Sequence, residues 1–316
     1  KHYYCVILAG GIGSRFWPIS RISLPKQFLD FTESGKSFLR MTYDRVKNVI
    51  PEENILVVSL TKYRDIVCEQ LPELKPENLL LEEYNRNTAP SVAYATYSVL
   101  RRDPDAVMVV TPSDHVIGDE ALFTSTVLNS LRHAERSDSL ITLGIMPTRP
   151  DPNFGYIQAV GDFYDCHHIK VKTFVEKPSE ELAQVFIDTG EFLWNSGIFI
   201  WKASVIRGEL EKYAPEITKL WAGWEEALGT PEERGFVQRI YASDLPRIAI
   251  DYAVMEKTDK AWVYPAKFSW ADIGNWNSLY DYLSHHDSDG NANNFKGKSL
   301  LRNCRDNIIY SDRGNK

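Results

Sequence analysis

The chain has 316 residues, 43% of them hydrophobic and 25% charged, with a formal net charge of −7. That length can bury a large core, and the composition is that of an ordinary globular protein. A negative chain with no Lys/Arg run is not built to bind nucleic acid, and phosphate substrates would require local cations or a metal to offset its field.

The first 145 residues alternate strand and helix. Tyr3 to Ala9 reads as a buried strand, and "SFLRMTYDRVKNVI" has helical spacing with Ser37 as its N-cap. "NILVVSL" follows as strand, "YRDIVCEQL" as helix and "NLLLEE" as a short strand. "NTAPSVAYATYSVLRR" is a helix with Pro90 in its first turn, where a missing N–H costs nothing. "AVMVVT", "ALFTSTVLNSLRHAE" and "SLITLGI" continue as strand, helix and strand. Apolar strands between amphipathic helices predict an α/β fold whose sheet is mainly parallel and covered on both faces.

The second half is less regular. "GYIQAV" and "IKVKTFVEKP" read as strands, and "SEELAQVFIDTG" as a helix with acids in its first turn and Gly190 after its end. "FLWNSGIFIW" is another strand, helices are expected from Ala203 to about Ala227 in two pieces broken near Pro215, and "AWVYPAKFSWADI" returns to strand. After Leu283, "SHHDSDGNANNFKGK" reads as a polar linker, and "SLLRNCRDNIIYSDRGNK" alternates like small β-strands. The expected organisation is one domain over 1–284 and, over 285–316, a linker with the start of a truncated β-rich domain. The first residue is Lys1 rather than Met, so the sequence is expected to begin inside a longer chain.

Cys5, Cys68, Cys166 and Cys304 form no C-x-x-C pair and no ligand spacing, which points to reduced, mostly buried thiols in a cytoplasmic protein. The pairs His167–His168 and His285–His286 have no partner at ligand spacing and are expected in solvent. No apolar run approaches the roughly 18 residues of a membrane helix, and Val6 to Ala9 is too short for a signal peptide, so no membrane partner is expected.

The sharpest feature is "LAGGIGSRFWPISRISLPKQF", Leu8 to Phe28, where a strand opens into a glycine loop followed by Arg15 and Lys26. Backbone N–H groups of such a loop can converge on phosphate oxygens. The P-loop pattern fails because its lysine would fall far too late, at Lys26. The dinucleotide fingerprint fails because its third glycine falls on Phe16, and Asp30 follows Pro25 too closely to end a second strand.

The stretch closely resembles the signature L-A-G-G-x-G-[ST]-R-x-x-P followed by P-K of sugar-1-phosphate nucleotidyltransferases. Its W-P and P-K-Q-F details resemble the mannose-1-phosphate guanylyltransferase branch. "NRNTAP" (85–90), "TPSDH" (111–115), "FGYI" (154–157), "FVEKP" (174–178), "FLWNSGIFIW" (192–201), "IDYAVMEK" (250–257) and "DIGNW" (272–276) follow in the family's order, so the resemblance covers about residues 3 to 283. It implies a Rossmann-like core that transfers GMP from GTP to mannose 1-phosphate with release of pyrophosphate, with Mg²⁺ as cofactor. A different sugar or base, a relative that only binds nucleotide, and a dehydrogenase are the rivals. Retention of the whole charged set argues against mere binding. The resemblance leaves a homodimer open.

In that reading the nucleotide meets Leu8, Gly10, Gly11, Gly13 and Ser14. The glycine amides cradle the triphosphate, Arg15 neutralises its β/γ end, and Lys26 lies near the α-phosphate. Ser14 either donates a hydrogen bond or caps the turn. Asp114 and Asp272 match family positions that hold Mg²⁺, and Asp114 follows an apolar strand, at the edge where open α/β sheets place ligands. His115 is a poor Mg²⁺ ligand and is given a packing role. For the sugar, the resemblance gives Gly155 a backbone contact, Glu176 and Asn195 the hydroxyls, and Lys177 the phosphate. A buried amide such as Asn195 needs partners, which neighbouring backbone could also supply. Asp251 is either a helix N-cap or a sugar contact. Ala249 stands where the family often has Ser, which weakens a hydroxyl role there. Trp194, Trp201, Trp270 and Trp276 read as core. The segment "LLLEEYNRNTAP" holds the base in related enzymes, so Asn87 and Thr88 should approach it. Guanine presents two adjacent donors, which a carboxylate can accept together. Glu82 is therefore either the reader of guanine or an exposed strand-end carboxylate.

Overall fold

The computed structural model describes residues 2–32, 34–161, 163, 168–283, 286–294 and 300–310; Cys166, His167 and His285 lie outside them. The strands are β1 (Tyr3–Leu8), β2 (Ile55–Leu60), β3 (Leu79–Glu82), β4 (Val107–Pro112), β5 (His115–Ile117), β6 (Leu140–Ile145), β7 (Tyr156–Ala159), β8 (Ile169–Val175), β9 (Phe192–Lys202), β10 (Ala261–Ala266), β11 (Trp270–Asp272), β12 (Ala292–Asn294) and β13 (Ile308–Tyr310). The helices are α1 (Phe38–Val46), α2 (Arg64–Gln70), α3 (Thr88–Arg102), α4 (Glu120–Arg136), α5 (Glu180–Thr189), α6 (Ala203–Tyr213), α7 (Pro215–Thr218), α8 (Trp224–Ala227), α9 (Glu233–Ala242) and α10 (Trp276–Tyr282). Every element expected in the first 145 residues forms, and the Ser37 hydroxyl caps α1 by accepting from the Arg40 amide.

Nine strands make one sheet in the order β3-β2-β1-β4-β9-β6-β10-β8-β7. The neighbours β3-β2-β1-β4 and β6-β10 are parallel, as the apolar strand runs require. The second half departs from this pattern. β7 and β8 form an antiparallel pair, and β9 then runs between β4 and β6 antiparallel to both. Because of that reversal the first residues of β9 lie at the carboxyl edge of its neighbours, with Asn195 opposite Gly144 and Trp194 opposite Ile145.

Alternate residues of the central strands feed two cores. Val6, Val58, Met108 and Val110 pack with α3, α6 and Trp221, whereas Cys5, Ile7, Val57 and Val109 pack with α1, α2 and α4. This is the period-2 pattern of strands covered on both faces. A third cluster joins Phe16, Phe31, Phe38, Val116, Ile273 and Leu279, with Trp276, Ile308 and Tyr310 packed against it. It fastens the glycine-loop turn to the last described strand.

Several expectations are corrected. The helical stretch from Ala203 breaks into α6, α7, a 3₁₀ turn at Lys219–Trp221 and α8, because Pro215 and then Gly223, in the left-handed region, interrupt it. The stretch read as linker carries a turn in which Asp287 accepts from the Asp289 and Asn291 amides, then β12, which pairs with β13. Of the described cysteines only Cys5 is buried; Cys68 is exposed and Cys304 half-buried. His286 is exposed, but His168 is half-buried and stacks on His133 at 4.0 Å. Trp194 and Trp201 are core, while Trp270 and Trp276 are half-buried. No helix among the described residues is long and apolar enough to cross a membrane.

Candidate active site

Leu8 ends β1, and the chain passes through Gly10, Gly11 and Gly13 into a 3₁₀ turn at Ser14–Phe16. Side chains hold the loop by its carbonyls. Gln27 Nε2 donates to the carbonyls of both Ala9 and Gly11 at 2.9 Å, Asn85 Nδ2 to Gly10 at 2.9 Å, Ser59 Oγ to Ala9 at 3.0 Å and Ser20 Oγ to Ile12 at 2.9 Å. Among the described residues the amides from Gly10 to Arg15 donate to no protein acceptor. A loop with its carbonyls tied and its amides free is a site for an anion. Gly13 has φ +64°. Ser14 is exposed and its hydroxyl makes no hydrogen bond among the described residues. Arg15 is also exposed, with its guanidinium against Gly274.

Asp114 and Asp272 are brought together by a small ribbon. β5 and β11 pair antiparallel with His115 directly opposite Asp272, which sets Asp114 beside it. Lys26, buried against the rings of Phe16 and Phe38, places Nζ 2.9 Å from Asp114 Oδ2 and 3.4 Å from Asp272 Oδ1. Lys26 thus bridges the two carboxylates. Burial works against ionisation of Asp114, and the neighbouring Lys26 and His115 charges together with the hydrogen bonds from Lys26 and the backbone outweigh it, taking the carboxyl down to about 2. The Asp114 carboxylate remains 32% exposed. His115 does more than pack. Its Nδ1 accepts from Trp270 Nε1 at 3.2 Å, which leaves the proton on Nε2, 3.9 Å from Asp272 Oδ1, while burial lowers its pKa.

Among the described residues no three His, Cys, Asp or Glu side chains cluster as metal ligands. Each carboxylate meets Lys26 through one oxygen, so the pair retains oxygens for another cation. Two carboxylates partly neutralised by an ammonium suit Mg²⁺, which takes the remainder of its shell from phosphates and water.

Glu82 is 3% exposed, so it is not a solvated strand-end carboxylate; Glu83 is the exposed one. Its Oε1 accepts from Ser91 Oγ at 2.6 Å and from the Tyr241 hydroxyl at 2.5 Å. Burial pushes the carboxyl up to about 7 against those two hydrogen bonds. With Oε1 filled, a ligand can meet only Oε2, which faces Gly10, and the two-oxygen reading of guanine is not available. Asn87 caps α3 with φ +70°, its Oδ1 accepting from the Thr88 amide, and Thr88 Oγ1 accepts from the Ile250 amide.

A second group forms where β9 begins. The Asn195 amide nitrogen donates to the Gly155 carbonyl, its Nδ2 to Asp251 Oδ1 at 2.9 Å, and its Oδ1 accepts from Thr142 Oγ1 and the Gly197 amide. Asp251 begins a π-helical turn but its side chain does not cap it. A β-carbon on Gly155 would collide with Glu176 Oε2, so only glycine allows that approach. Glu176 Oε1 pairs with Lys177 at 3.2 Å, and its buried Oε2 has no hydrogen-bond partner. Burial raises the Glu176 carboxyl; burial and the Glu176 charge push Asp251 up to about 7. Two raised carboxyls and an orphaned oxygen call for hydroxyl donors. This group joins the first through Phe154, whose ring lies 4.9 Å from Trp194 and 5.2 Å from Trp270. A cavity of about 320 Å³ lined by Arg15, Arg149, Phe154, Asp272 and Gly274 lies at that junction. A larger cavity, about 920 Å³ between β3, α3 and α9, is lined by none of the expected site residues.

Sequence reasoning passed over Gln27, Asn85, Thr142, Ser91 and Tyr241, which orient the site from outside. Gln27 and Asn85 stand inside quoted motifs, but their spacing carries no sign that they bond to backbone.

A nucleotidyl transferase family model matches residues 4–288. The mannose-1-phosphate guanylyltransferase of Salmonella montevideo is 37% identical over 98% of this chain and 65% of its own length. The xanthan biosynthesis protein XanB of Xanthomonas campestris is 40% identical over 98% of this chain and 64% of its own. The chain thus spans slightly less than two thirds of these curated relatives. A crystal structure of mannose-1-phosphate geranyltransferase from Thermus thermophilus is 31% identical, with a TM-score of 0.86, covering 99% of this chain and 88% of that one.

Proposed function

Because the chain belongs to the nucleotidyl transferase family, we propose that it transfers GMP from GTP to mannose 1-phosphate, giving GDP-mannose and pyrophosphate. The observation that carries this reading is the meeting of a free-amide glycine loop with the Asp114–Lys26–Asp272 group. Mannose 1-phosphate is favoured over other sugar phosphates by the name of the Salmonella relative.

An oxygen of the sugar phosphate attacks the α-phosphorus of GTP, the bond from that phosphorus to the oxygen bridging toward the β-phosphate breaks, and pyrophosphate leaves. The nucleophile is already ionised, so the chain need not supply a strong base. What it must supply is position and neutralisation of charge. The amides of Gly10, Gly11 and Gly13 hold the triphosphate, Ser14 adds a hydroxyl, and Arg15 meets the phosphates that depart. Lys26 fixes Asp114 and Asp272. These two carboxylates would hold a Mg²⁺, which when bound neutralises charge on the phosphates. Lys177 attracts the sugar phosphate. Glu176, Asp251 and Asn195 take the sugar hydroxyls, with Glu176 Oε2 the acceptor still lacking a donor. Glu82 Oε2 meets the donor edge of guanine, and Asn87 and Thr88 line the same segment.

The test is pyrophosphate release measured over a matrix of the four NTPs and several sugar 1-phosphates. Turnover confined to GTP with mannose 1-phosphate is expected. Preference for another pair would replace the substrates, and no release with any pair would overturn the reading.

A further inference from the structure

We propose that Tyr241 is a specificity-positioning residue: from α9 it holds one oxygen of Glu82 so that the other is presented to the donor edge of a purine base lying beside the glycine loop. The proposal rests on the reading of Glu82 as the base contact.

The geometry is a clamp from two elements. Tyr241, fully buried on α9, donates its hydroxyl to Glu82 Oε1 at 2.5 Å, and Ser91, on α3, donates to the same oxygen at 2.6 Å. A carboxylate oxygen offers two lone pairs, and both on Oε1 are now used. Oε2 accepts from nothing among the described residues and lies 3.7 Å from where a β-carbon on Gly10 would stand. Without the two hydroxyls the carboxyl could rotate and offer either oxygen, or neither, to a ligand.

The chemistry sets the preference. A buried carboxylate with donors on one oxygen still lacks them on the other. A purine with N1–H and a 2-amino group supplies them; adenine presents an acceptor at N1 instead. The groups facing Glu82 are hydroxyls: Ser91, Tyr241 and, one step behind, the Tyr94 phenol, which donates to Glu233 at the other end of α9. Arg86 approaches the Tyr241 carbonyl at 3.5 Å rather than the carboxyl. Nothing cationic among the described residues is hydrogen-bonded to Glu82, so its protonation answers to the hydroxyls and the ligand.

The experiment measures kcat/KM for GTP, ITP and ATP, by pyrophosphate release, on the wild-type chain and on Tyr241→Phe, Ser91→Ala and Glu82→Gln, across pH 6 to 9. Tyr241→Phe keeps the ring and should cut the GTP-over-ATP preference about three- to tenfold, the range for one neutral hydrogen bond. The preference should rise with pH as Glu82 ionises. In Tyr241→Phe that rise should move to higher pH, a shift that a purely structural role would not produce. Ser91→Ala removes the other donor to Oε1 and should act in the same direction, which keeps the test in force if Tyr241→Phe does not fold. Equal losses for all three nucleotides in Tyr241→Phe and Ser91→Ala would overturn the proposal. So would an unchanged preference in those variants while Glu82→Gln lowers it, and that result would leave Glu82 as the base contact. If Glu82→Gln leaves the preference intact, the base-contact reading falls and the proposal falls with it.

Discussion

Gly13 lies against the side chain of Lys26: a β-carbon on Gly13 would stand 2.5 Å from Lys26 Cβ. The glycine is also at φ +64°, where any other residue is strained. The displaced atom is the base of the lysine side chain, not its flexible end, so the ammonium held between Asp114 and Asp272 must move. Gly13→Ala should lower thermal stability by about 1–3 kcal/mol, from strain and overpacking, and reduce turnover further than GTP affinity. Calorimetric GTP binding beside steady-state kinetics checks this; a variant with wild-type kcat would show that the Lys26 position does not matter to the reaction.

Asp272→Asn keeps the shape of β11 but removes the charge that Lys26 and His115 face. It should fold normally and lose most of its turnover, and added Mg²⁺ should restore little, because an amide oxygen is a weak replacement for a carboxylate on a hard cation. Unaltered pyrophosphate release would remove Asp272 from the site.

Arg15 is exposed and leans on Gly274, so its loss costs the fold little. Arg15→Ala should weaken GTP binding by about 1.5–3 kcal/mol, the scale of a charge-assisted hydrogen bond, while the melting temperature stays near that of the wild type. Equal GTP affinity in the two proteins would reassign Arg15 to the surface.

Stability should follow pH in two directions. Glu82 and Asp251 are pushed up to about 7. A carboxyl raised by folding costs nothing below its unfolded value near ~4, where both states are protonated, and its full cost is present above the folded value. Asp114 is the opposite case: its contribution is present above about 4 and is lost as pH falls toward 2. The two carboxyls should therefore raise the melting temperature of the ligand-free protein as pH drops from 8 toward 5, while His115, whose pKa burial lowers, works the other way below about 6.5, and the loss at Asp114 lowers it again below about 4. Glu82→Gln and Asp251→Asn should each flatten the slope between 5 and 8. A pH dependence between 5 and 8 left unchanged by both substitutions would contradict the raised carboxyls.

Legibility in the sequence followed the range of the interaction. Strands such as Tyr3–Leu8 and Leu140–Ile145 were readable because burial on both faces leaves an uninterrupted apolar run. Asn195 was readable because an amide inside such a run must find partners. The pairing of Asp114 with Asp272 was not readable from spacing, since it depends on β5 and β11, three residues each, too short to carry a period; only the resemblance joined them. Glu82 looked solvent-ready because what buries it, Tyr241, is 159 positions away on a helix that has no side-chain N-cap to announce it. The antiparallel insertion of β9 was hidden for a related reason: a strand buried on both faces has the same pattern whichever way it runs.

Gln27 gives the sharpest separation of loop shape from charge. It is 3% exposed, carries no charge, and its Nε2 donates to the carbonyls of Ala9 and Gly11. Those two bonds, with the ones from Asn85 and Ser20, turn the loop carbonyls away and leave the amides for an anion. Gln27→Glu preserves size but sets a carboxylate against two carbonyl oxygens, so the peptide units must turn or the acid must hold a proton. Each carbonyl left without its donor costs roughly 1–3 kcal/mol, and rotation of either peptide would swing an amide out of the cradle. Gln27→Glu should therefore weaken GTP binding strongly at pH 8 and recover part of it at pH 5, where the introduced acid, once protonated, can donate to one of the two carbonyls. Gln27→Met, which removes the donor without adding charge, should weaken binding at both pH values alike. Titration of GTP into the three proteins at the two pH values decides the matter. Wild-type affinity in both variants would mean that the glycine loop holds its shape unaided.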